Sequence, residues 1–155
     1  LAQEFNLPIM VSFTVETDGR LLDHRSLEDA ISEVDEATNY YVAYFGINCA
    51  HPLHFLPTLR CRHSVLVGRV GEIRANASAK SHKELDESEV LDRGDPIFLG
   101  EYHDELRALL PGLHVVGGCC GTDEEHVRAI ASNVCLSEGQ SSTRSDNQCF
   151  KSCIA

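Results

Sequence analysis

Two adjacent cysteines, Cys119 and Cys120, follow an apolar run and precede a segment with helical periodicity. Neighbouring cysteines bridge to each other poorly, because a disulfide requires a Cα separation and a χ3 angle that adjacent residues reach only with strain. A soft cation can instead take both thiolates, and zinc binds cysteine sulfur at roughly 2.3 Å with three or four protein ligands. The pair therefore predicts a metal site at the end of a strand, with at least one further ligand elsewhere in the chain.

The best candidate for the further ligand is Cys49. It lies in the sequence GINCAHP, residues 46–52, after a strand-like run and before a turn. In a parallel α/β fold, functional residues gather beyond the carboxyl ends of the strands, so cysteines that are far apart in the chain can meet there. Because glycine lets the backbone turn sharply and approach closely, we expect Gly117 and Gly118 to leave room for the metal.

Strand-like and helix-like patterns alternate along the chain. Apolar and β-branched runs predict four strands, at residues 8–15, 41–48, 72–77 and 113–118. A first helical pattern spans 26–38 and starts at a capping-box-like Ser26, and a second covers part of 52–67, where Pro57 limits its start or kinks it. A third pattern follows a turn at 93–96 and ends before Pro111, and a fourth follows a T-x-x-E capping box of Thr122 and Glu125. This alternation predicts a parallel sheet with right-handed crossovers.

The composition limits the classes of function. A chain of 155 residues with 43% hydrophobic content can bury one globular core. The formal net charge of −11 argues against nucleic-acid binding, which relies on lysine and arginine. No stretch is apolar enough to span a membrane, and the first residues carry no signal-like pattern. An odd count of seven cysteines favours an intracellular thiol and metal protein, so we expect a cytoplasmic location.

Several segments together resemble the homocysteine S-methyltransferase family. GINC at 46–49 followed by GGCCGT at 117–122 is similar to the zinc signature of that family, and PIMVSFT at 8–14, TDG at 17–19, ANAS at 75–78 and LDRGDP at 91–96 are similar to other family segments. The family fold is a (β/α)8 barrel, which typically needs about 250 residues. The resemblance therefore implies that residues 1–135 supply about the last four β/α units, a half-barrel, and that the chain is the carboxyl half of a longer enzyme.

The resemblance also implies a chemistry. Zn2+ would be held by Cys49, Cys119 and Cys120, and the enzyme would transfer a methyl group from a sulfonium or ammonium donor to the thiol of L-homocysteine, forming methionine. S-methylmethionine, S-adenosylmethionine, betaine and methylated cobalamin all stay open as donors. Because the amino half of the family's barrel supplies further substrate contacts, this half is expected to be inactive alone. The alternative is a non-catalytic zinc-binding half-barrel, or a degenerate homologue, that acts through association with another chain. Exposed sheet edges also predict self-association.

Other polar residues lie near the predicted strand ends. Asn48, Asn76 and Ser78, with His82, are candidates for substrate contacts, although an asparagine beside a turn more often satisfies local backbone groups. We expect no metal-binding role for His51 and His54, and solvated turn positions for Glu16 and Asp18. Cys61 and Cys135 are predicted to pack near helices. The serine-rich segment 136–155, with its incidental Cys149 and Cys153, is predicted to be a poorly ordered tail.

Overall fold

The computed structural model describes residues 1–61 and 68–136, which form a parallel α/β fold. The strands are β1 (Met10–Phe13), β2 (Tyr44–Ala50), β3 (Val70–Ala75) and β4 (Val115–Gly118). They form one sheet in the order β1-β2-β3-β4, and every neighbouring pair is parallel. Helices described between and after the strands are α1 (Leu27–Thr38), α2 (Pro52–Arg60), α3 (His82–Asp86), α4 (Pro96–Leu109) and α5 (Glu124–Leu136). A parallel sheet in chain order with helical crossovers corresponds to part of a (β/α) barrel, so the predicted fold class is confirmed.

The register of the sheet brings the carboxyl ends of the strands to one side of the molecule. Phe13 of β1 pairs with Ile47 of β2, and Ala75 of β3 pairs with Gly118 of β4. Ala50, the last residue of β2, also pairs with Ala75. Segments that leave the four strands therefore start side by side, which is the geometry that the predicted site requires.

Within residues 1–61 and 68–136, an apolar core joins the sheet to the helices. Phe45 and Ile47 of β2 and Ile73 of β3 are each at most 1% exposed. The same cluster contains residues from α1, α2, α4 and α5, namely Leu27, Ile31, Phe55, Leu56, Leu59, Leu99, Leu106 and Ile130. Full burial of each large side chain contributes about 2 kcal/mol, so this core is the main support of the strand ends.

All four strands differ from their predicted ranges by a few residues at one or both ends. Strand β2 begins at Tyr44, three residues later than predicted, and the guanidinium of Arg69 donates to the carbonyl oxygens of Val42 and Ala43 just before it. Strand β1 ends at Phe13, and the hydroxyl of the next residue, Thr14, accepts a hydrogen bond from Asn48. Strand β3 begins and ends two residues earlier than predicted, at Val70 and Ala75, and β4 begins two residues later than predicted, at Val115.

Helix starts reveal both confirmed and wrong predictions. Ser26 caps α1 by accepting from the Asp29 N–H, as predicted. The predicted capping box of Thr122 and Glu125 is wrong. Asp123, which lies directly before α5, accepts from the N–H groups of Glu125 and His126 instead, while the Thr122 hydroxyl donates to the Cys119 carbonyl. The predicted turn at 93–96 is shorter than expected, since Asp95 caps α4 and Pro96 is the first residue of that helix.

Helix α3 was not predicted at all, although its sequence carries a capping box. Ser81 accepts from the N–H of Glu84, and the Glu84 carboxylate accepts from the N–H of Ser81. The S-x-x-E spacing is a known signal for the start of a helix. The helix has only five residues, which is too short for a helical repeat of apolar residues to be recognised. This helix proves important because it carries His82.

Further predictions concern α2 and the end of the chain. Pro57 lies inside α2 and does not limit its start, because the helix already begins at Pro52. The packing role predicted for Cys61 is wrong, since this residue ends α2 and is exposed. Residues 62–67 and 137–155, which include Cys149 and Cys153, lie outside the described part, as does the Cys135 side chain. Among the described helices, none is both long enough and apolar enough to cross a membrane.

Candidate metal centre

The three predicted ligand sulfurs lie together beyond the carboxyl ends of β2 and β4. The Sγ atoms of Cys49 and Cys119 are 2.6 Å apart, and those of Cys119 and Cys120 are 4.0 Å apart. All three sulfurs lie within 4.8 Å of one another, and no other such group of three potential ligands occurs in residues 1–61 and 68–136. Cys49 and Cys119 are half-buried, whereas Cys120 is exposed. The cluster therefore has an open side towards solvent.

Cys49 reaches the cluster through an irregular backbone. Its φ is 52°, in the left-handed region that non-glycine residues rarely adopt. The pairing of β2 with β3 is also irregular here, because the register shifts between Asn48 and Ala50. Bulges of this kind redirect one side chain while the strand continues on either side. The irregularity thus turns the Cys49 thiol towards the end of β4.

Asn76 holds the two ligand segments to each other. It follows β3, which lies between β2 and β4, and it is only 3% exposed. Its amide Nδ2 donates to the Cys49 carbonyl at 3.0 Å, and its Oδ1 accepts from the Cys120 N–H at 3.2 Å. Both ends of the amide are engaged by the protein, so the structure gives Asn76 a positioning role between the two segments.

The turn after β4 is fixed by its own backbone and by Thr122. The Cys119 N–H donates to the Ala75 carbonyl, and the Cys120 carbonyl accepts from the Ala77 N–H. A Cβ at Gly118 would collide with the side chain of Thr122, so this glycine makes room for Thr122, and the expectation that it leaves room for the metal stays a prediction. A Cβ at Gly117 would meet nothing within 4 Å, which agrees with open space at that position.

The electrostatics of the cluster suit a bound cation. Burial, followed by the contact with Cys119, raises the pKa of the Cys49 thiol, so an uncompensated thiolate is disfavoured here. A metal ion supplies the missing positive charge and holds such thiols deprotonated. Three cysteine sulfurs are a soft donor set, which is the type that zinc takes. The residues that are present therefore fit a zinc ion.

His82 and Glu16 form a second link to Cys49. The Nε2 atom of His82 lies 2.7 Å from the Cys49 carbonyl oxygen, and its Nδ1 atom lies 3.1 Å from Oε1 of Glu16. These contacts, the first more strongly, raise the pKa of His82. Glu16 was expected to be a solvated turn residue, and it instead contacts His82. Asp18 is exposed and accepts from the Arg20 N–H, as a turn residue does.

A cleft of about 340 Å3 opens beside the sulfurs. Its lining includes Cys49 and Cys120, together with Leu85 of α3 and Val90 and Leu91 of the segment that follows this helix. Ser78, also in the wall, donates to Asp92 at 2.9 Å and accepts from the Lys80 N–H. Its hydroxyl therefore has protein partners, while its side chain still lines the cleft.

Asn48 lies next to Cys49 but points towards β1. Its Oδ1 accepts from the Ser12 hydroxyl at 2.6 Å, and its Nδ2 donates to Thr14 at 3.2 Å. The side chain thus joins the carboxyl ends of β1 and β2, the local role that was weighed for it beside the substrate role.

His51 and His54 are buried and lie outside the sulfur cluster. Nδ1 of His51 accepts from the Leu53 N–H and caps α2, and Nε2 of His54 contacts the Ala79 carbonyl at 2.9 Å. Burial is the first cause that lowers the pKa of His51 to about 4. A neutral His51 is consistent with a capping role.

Comparison with known proteins identifies the family of the chain. The sequence profile of the homocysteine S-methyltransferase family matches residues 1–134. Methionine synthase of Mycobacterium leprae (strain TN) is 28% identical over 137 residues, which cover 83% of this chain. The chain spans about 10% of the length of that protein. Because the profile extends over most of the chain and includes all three cysteines, the chain belongs to the homocysteine S-methyltransferase family.

Proposed function

We propose that Cys49, Cys119 and Cys120 hold one zinc ion and that this site serves methyl transfer to the thiol of L-homocysteine, forming methionine. The observation that carries the proposal is the convergence of three cysteine sulfurs, from two strand ends, within 4.8 Å. When bound, zinc supplies a Lewis acid that lowers the pKa of a coordinated thiol, so that a substrate thiol can act as a nucleophile near neutral pH. Family membership supports the reaction type.

The residues around the sulfurs would position the reactants. Asn76 and His82 hold the backbone of Cys49, and the exposed side of Cys120 leaves the cluster open to a substrate. Ser78 in the cleft wall, and Asn48 and Asn76 at the strand ends, stay candidates for substrate contact. Their hydrogen-bonding groups are already engaged by the protein, which favours an indirect role through the shape of the site.

The cleft favours a small cationic methyl donor, a sulfonium or an ammonium compound. Its wall contains the carboxylates Asp86 and Asp92, and the second of these pairs with Lys80 at 3.3 Å. An apolar wall beside carboxylates suits a methylated cation, since the charge is attracted and the methyl groups lose contact with water. We also propose a cytoplasmic location, because the described cysteines are free thiols, as expected in a reducing compartment.

The second candidate is a zinc-binding half-barrel without catalytic activity of its own. The described residues form four strands, whereas a closed barrel of this type has eight. Such a unit could bind the metal and act through association with another chain. Zinc binding without methionine formation, both by the chain alone and together with the remaining half of a family barrel, would favour this candidate.

Serine substitutions test the ligand assignment. Cys120→Ser should lower zinc content well below the roughly one ion per chain of the unmodified protein, because a hydroxyl does not ionise at neutral pH. Cys49→Ser and Cys119→Ser should do the same, and in the complete enzyme all three should abolish methionine formation. The matched control is Cys61→Ser, an exposed thiol at the end of α2. Full zinc in Cys120→Ser, or loss of zinc in Cys61→Ser, would show that the wrong thiols were chosen.

A further inference from the structure

The left-handed backbone of Cys49 needs external support. A non-glycine residue in this region costs about 1–3 kcal/mol and persists only where its surroundings enforce it. The bulge takes Cys49 out of the regular pairing between β2 and β3. Its carbonyl oxygen accepts two side-chain hydrogen bonds instead, from Asn76 at 3.0 Å and from His82 at 2.7 Å. These two contacts hold the peptide group that sets the direction of the Cys49 thiol.

His82 is well placed to act as a fixed donor. A carbonyl oxygen only accepts, so the Nε2 atom of His82 carries the hydrogen in this contact. The capping box of Ser81 and Glu84 fixes the first turn of α3, where His82 is the first residue. The donor therefore comes from a helix whose start is itself held by reciprocal hydrogen bonds.

Glu16 fixes the other side of the imidazole ring. It begins a tight loop after β1, in which the Glu16 N–H donates to the Arg20 carbonyl and the Glu16 carbonyl accepts from the Gly19 N–H. Its carboxylate faces Nδ1 of His82 and so orients the ring. Glu16, His82 and Cys49 thus connect the segments that follow β1 and β3 to the end of β2. The side chain of His82 is 33% exposed and that of Glu16 is 36% exposed, so neither contact is needed to fill the apolar core.

We propose that His82, oriented by Glu16, is a positioning residue that holds the strained backbone of Cys49 and thereby directs its sulfur towards Cys119 and Cys120. The inference rests on the proposed zinc site, since its effect is read through the metal. Partners that orient metal ligands typically change metal affinity by 10–100-fold when they are removed. His82→Ala should weaken zinc binding by about tenfold, because Asn76 still holds the same carbonyl.

The test measures metal binding by the 155-residue chain directly. Zinc affinity is obtained by competition with a chromophoric chelator, and the thiolate-to-metal absorption of the cobalt(II) form reports the geometry of the sulfurs. His82→Gln should restore most of the affinity and the cobalt spectrum, because its amide can donate to the Cys49 carbonyl from nearly the same place as Nε2. Glu16→Ala should lower the zinc affinity by an amount between zero and the loss seen in His82→Ala. Lys83→Ala, an exposed neighbour in α3, is the control and should match the unmodified chain.

The outcomes separate this inference from the proposed function. Equal affinity and equal cobalt spectra for His82→Ala and the unmodified chain would overturn the inference and leave the zinc site intact. A failure of His82→Gln to improve on His82→Ala would overturn it as well, since a lost donor is then not the cause. If His82→Ala does not fold, as judged by circular dichroism, Glu16→Ala decides, and full affinity in that variant counts against the proposal. A chain that binds no zinc before any substitution would instead contradict the proposed function.

Discussion

Asn76 shows how one side chain can join segments that are far apart in the sequence. Its amide bonds to the backbone of both Cys49 and Cys120, the ends of two strands that do not pair with each other. Each such hydrogen bond contributes about 1 kcal/mol, and a buried partner left unpaired costs up to about 3 kcal/mol. The positions of the ligands therefore depend on residues that are not ligands themselves.

His103 gives a prediction about pH. This α4 residue is fully buried, its Nδ1 donates to the Leu99 carbonyl at 2.8 Å, and its Nε2 has no partner. Burial lowers the pKa of His103 from 6.5 to about 4. Between pH 6.5 and about pH 4 the imidazole is protonated in the unfolded chain and neutral in the native state. The free energy of unfolding therefore decreases as the pH is lowered through this window. The slope is up to about 1.4 kcal/mol per pH unit, and this residue has no effect above the window.

Urea unfolding across that window provides the measurement. His103→Leu should flatten the pH dependence of the free energy of unfolding relative to the unmodified chain. The non-titrating control Leu109→Ala, in the same helix, should lower stability by a similar amount at every pH. An unchanged slope in His103→Leu would mean that the buried imidazole does not titrate as described.

At the scale of elements, the contact between α4 and α5 depends on one small residue. A Cβ placed at Gly100 of α4 would lie 2.6 Å from Nδ2 of Asn133 and 2.8 Å from the Ala129 carbonyl oxygen, both in α5. Real Cβ atoms do not approach so closely, so the glycine sets how near the two helices can come. Because α5 follows the Cys119–Cys120 turn directly, this contact also anchors that turn.

Gly100→Ala should therefore destabilise the protein by about 1–3 kcal/mol through overpacking. The sign of the change in the free energy of unfolding distinguishes the two cases, since alanine in place of glycine at an open helix position stabilises a protein by about 1 kcal/mol. Gly112→Ala, in the turn that follows α4, is a control for the added Cβ alone, because that atom would meet only the Val70 carbonyl oxygen, at 3.9 Å. Chemical denaturation of both variants measures the difference, and a Gly100→Ala protein as stable as the unmodified chain would refute the packing argument.

At the scale of the whole molecule, the sheet presents two edges. Within the described residues, β1 pairs only with β2, and β4 pairs only with β3. Unpaired strand edges offer backbone donors and acceptors to other chains. The segment before β1 adds apolar surface, since Leu1, Phe5 and Leu7 are 88%, 68% and 58% exposed. These features favour self-association of the chain, while its formal net charge of −11 opposes it.

Light scattering should accordingly show a mass that rises with protein concentration and with added salt, which screens the charge. Met10→Lys places a charge on the β1 edge and should shift the chain towards the monomer. Leu22→Lys, which changes a loop residue that is 82% exposed, should have a weaker effect. A monodisperse monomer at every concentration would contradict the prediction. An equal effect of both substitutions would indicate that exposed apolar side chains, and not pairing of the strand edge, cause the association.

Local patterns were sufficient to predict most of the architecture. The apolar runs predict four strands, and the runs match the order and parallel pairing of β1 to β4 because buried parallel strands need continuous apolar sequence. Strand ends and caps were less predictable. Arg69 donates to the Val42 carbonyl just before β2, across 27 positions of the chain, and the local sequence does not identify such a partner. The capping role predicted for Thr122 falls to its neighbour Asp123, because one residue decides where α5 begins.

The sequence by itself determined which residue types are available: three cysteines at strand ends, with Asn48, Asn76 and Ser78 at or after the neighbouring strand ends. Because these positions follow buried strands, their gathering at one side of a parallel sheet could be expected from the pattern alone. Only the tertiary structure decided how the thiol groups are oriented towards one another. The left-handed φ of Cys49, the two contacts of Asn76, and the link from Glu16 through His82 join residues that are distant in the chain. Such contacts arise from the packing of strand ends against one another, and no local sequence pattern encodes them.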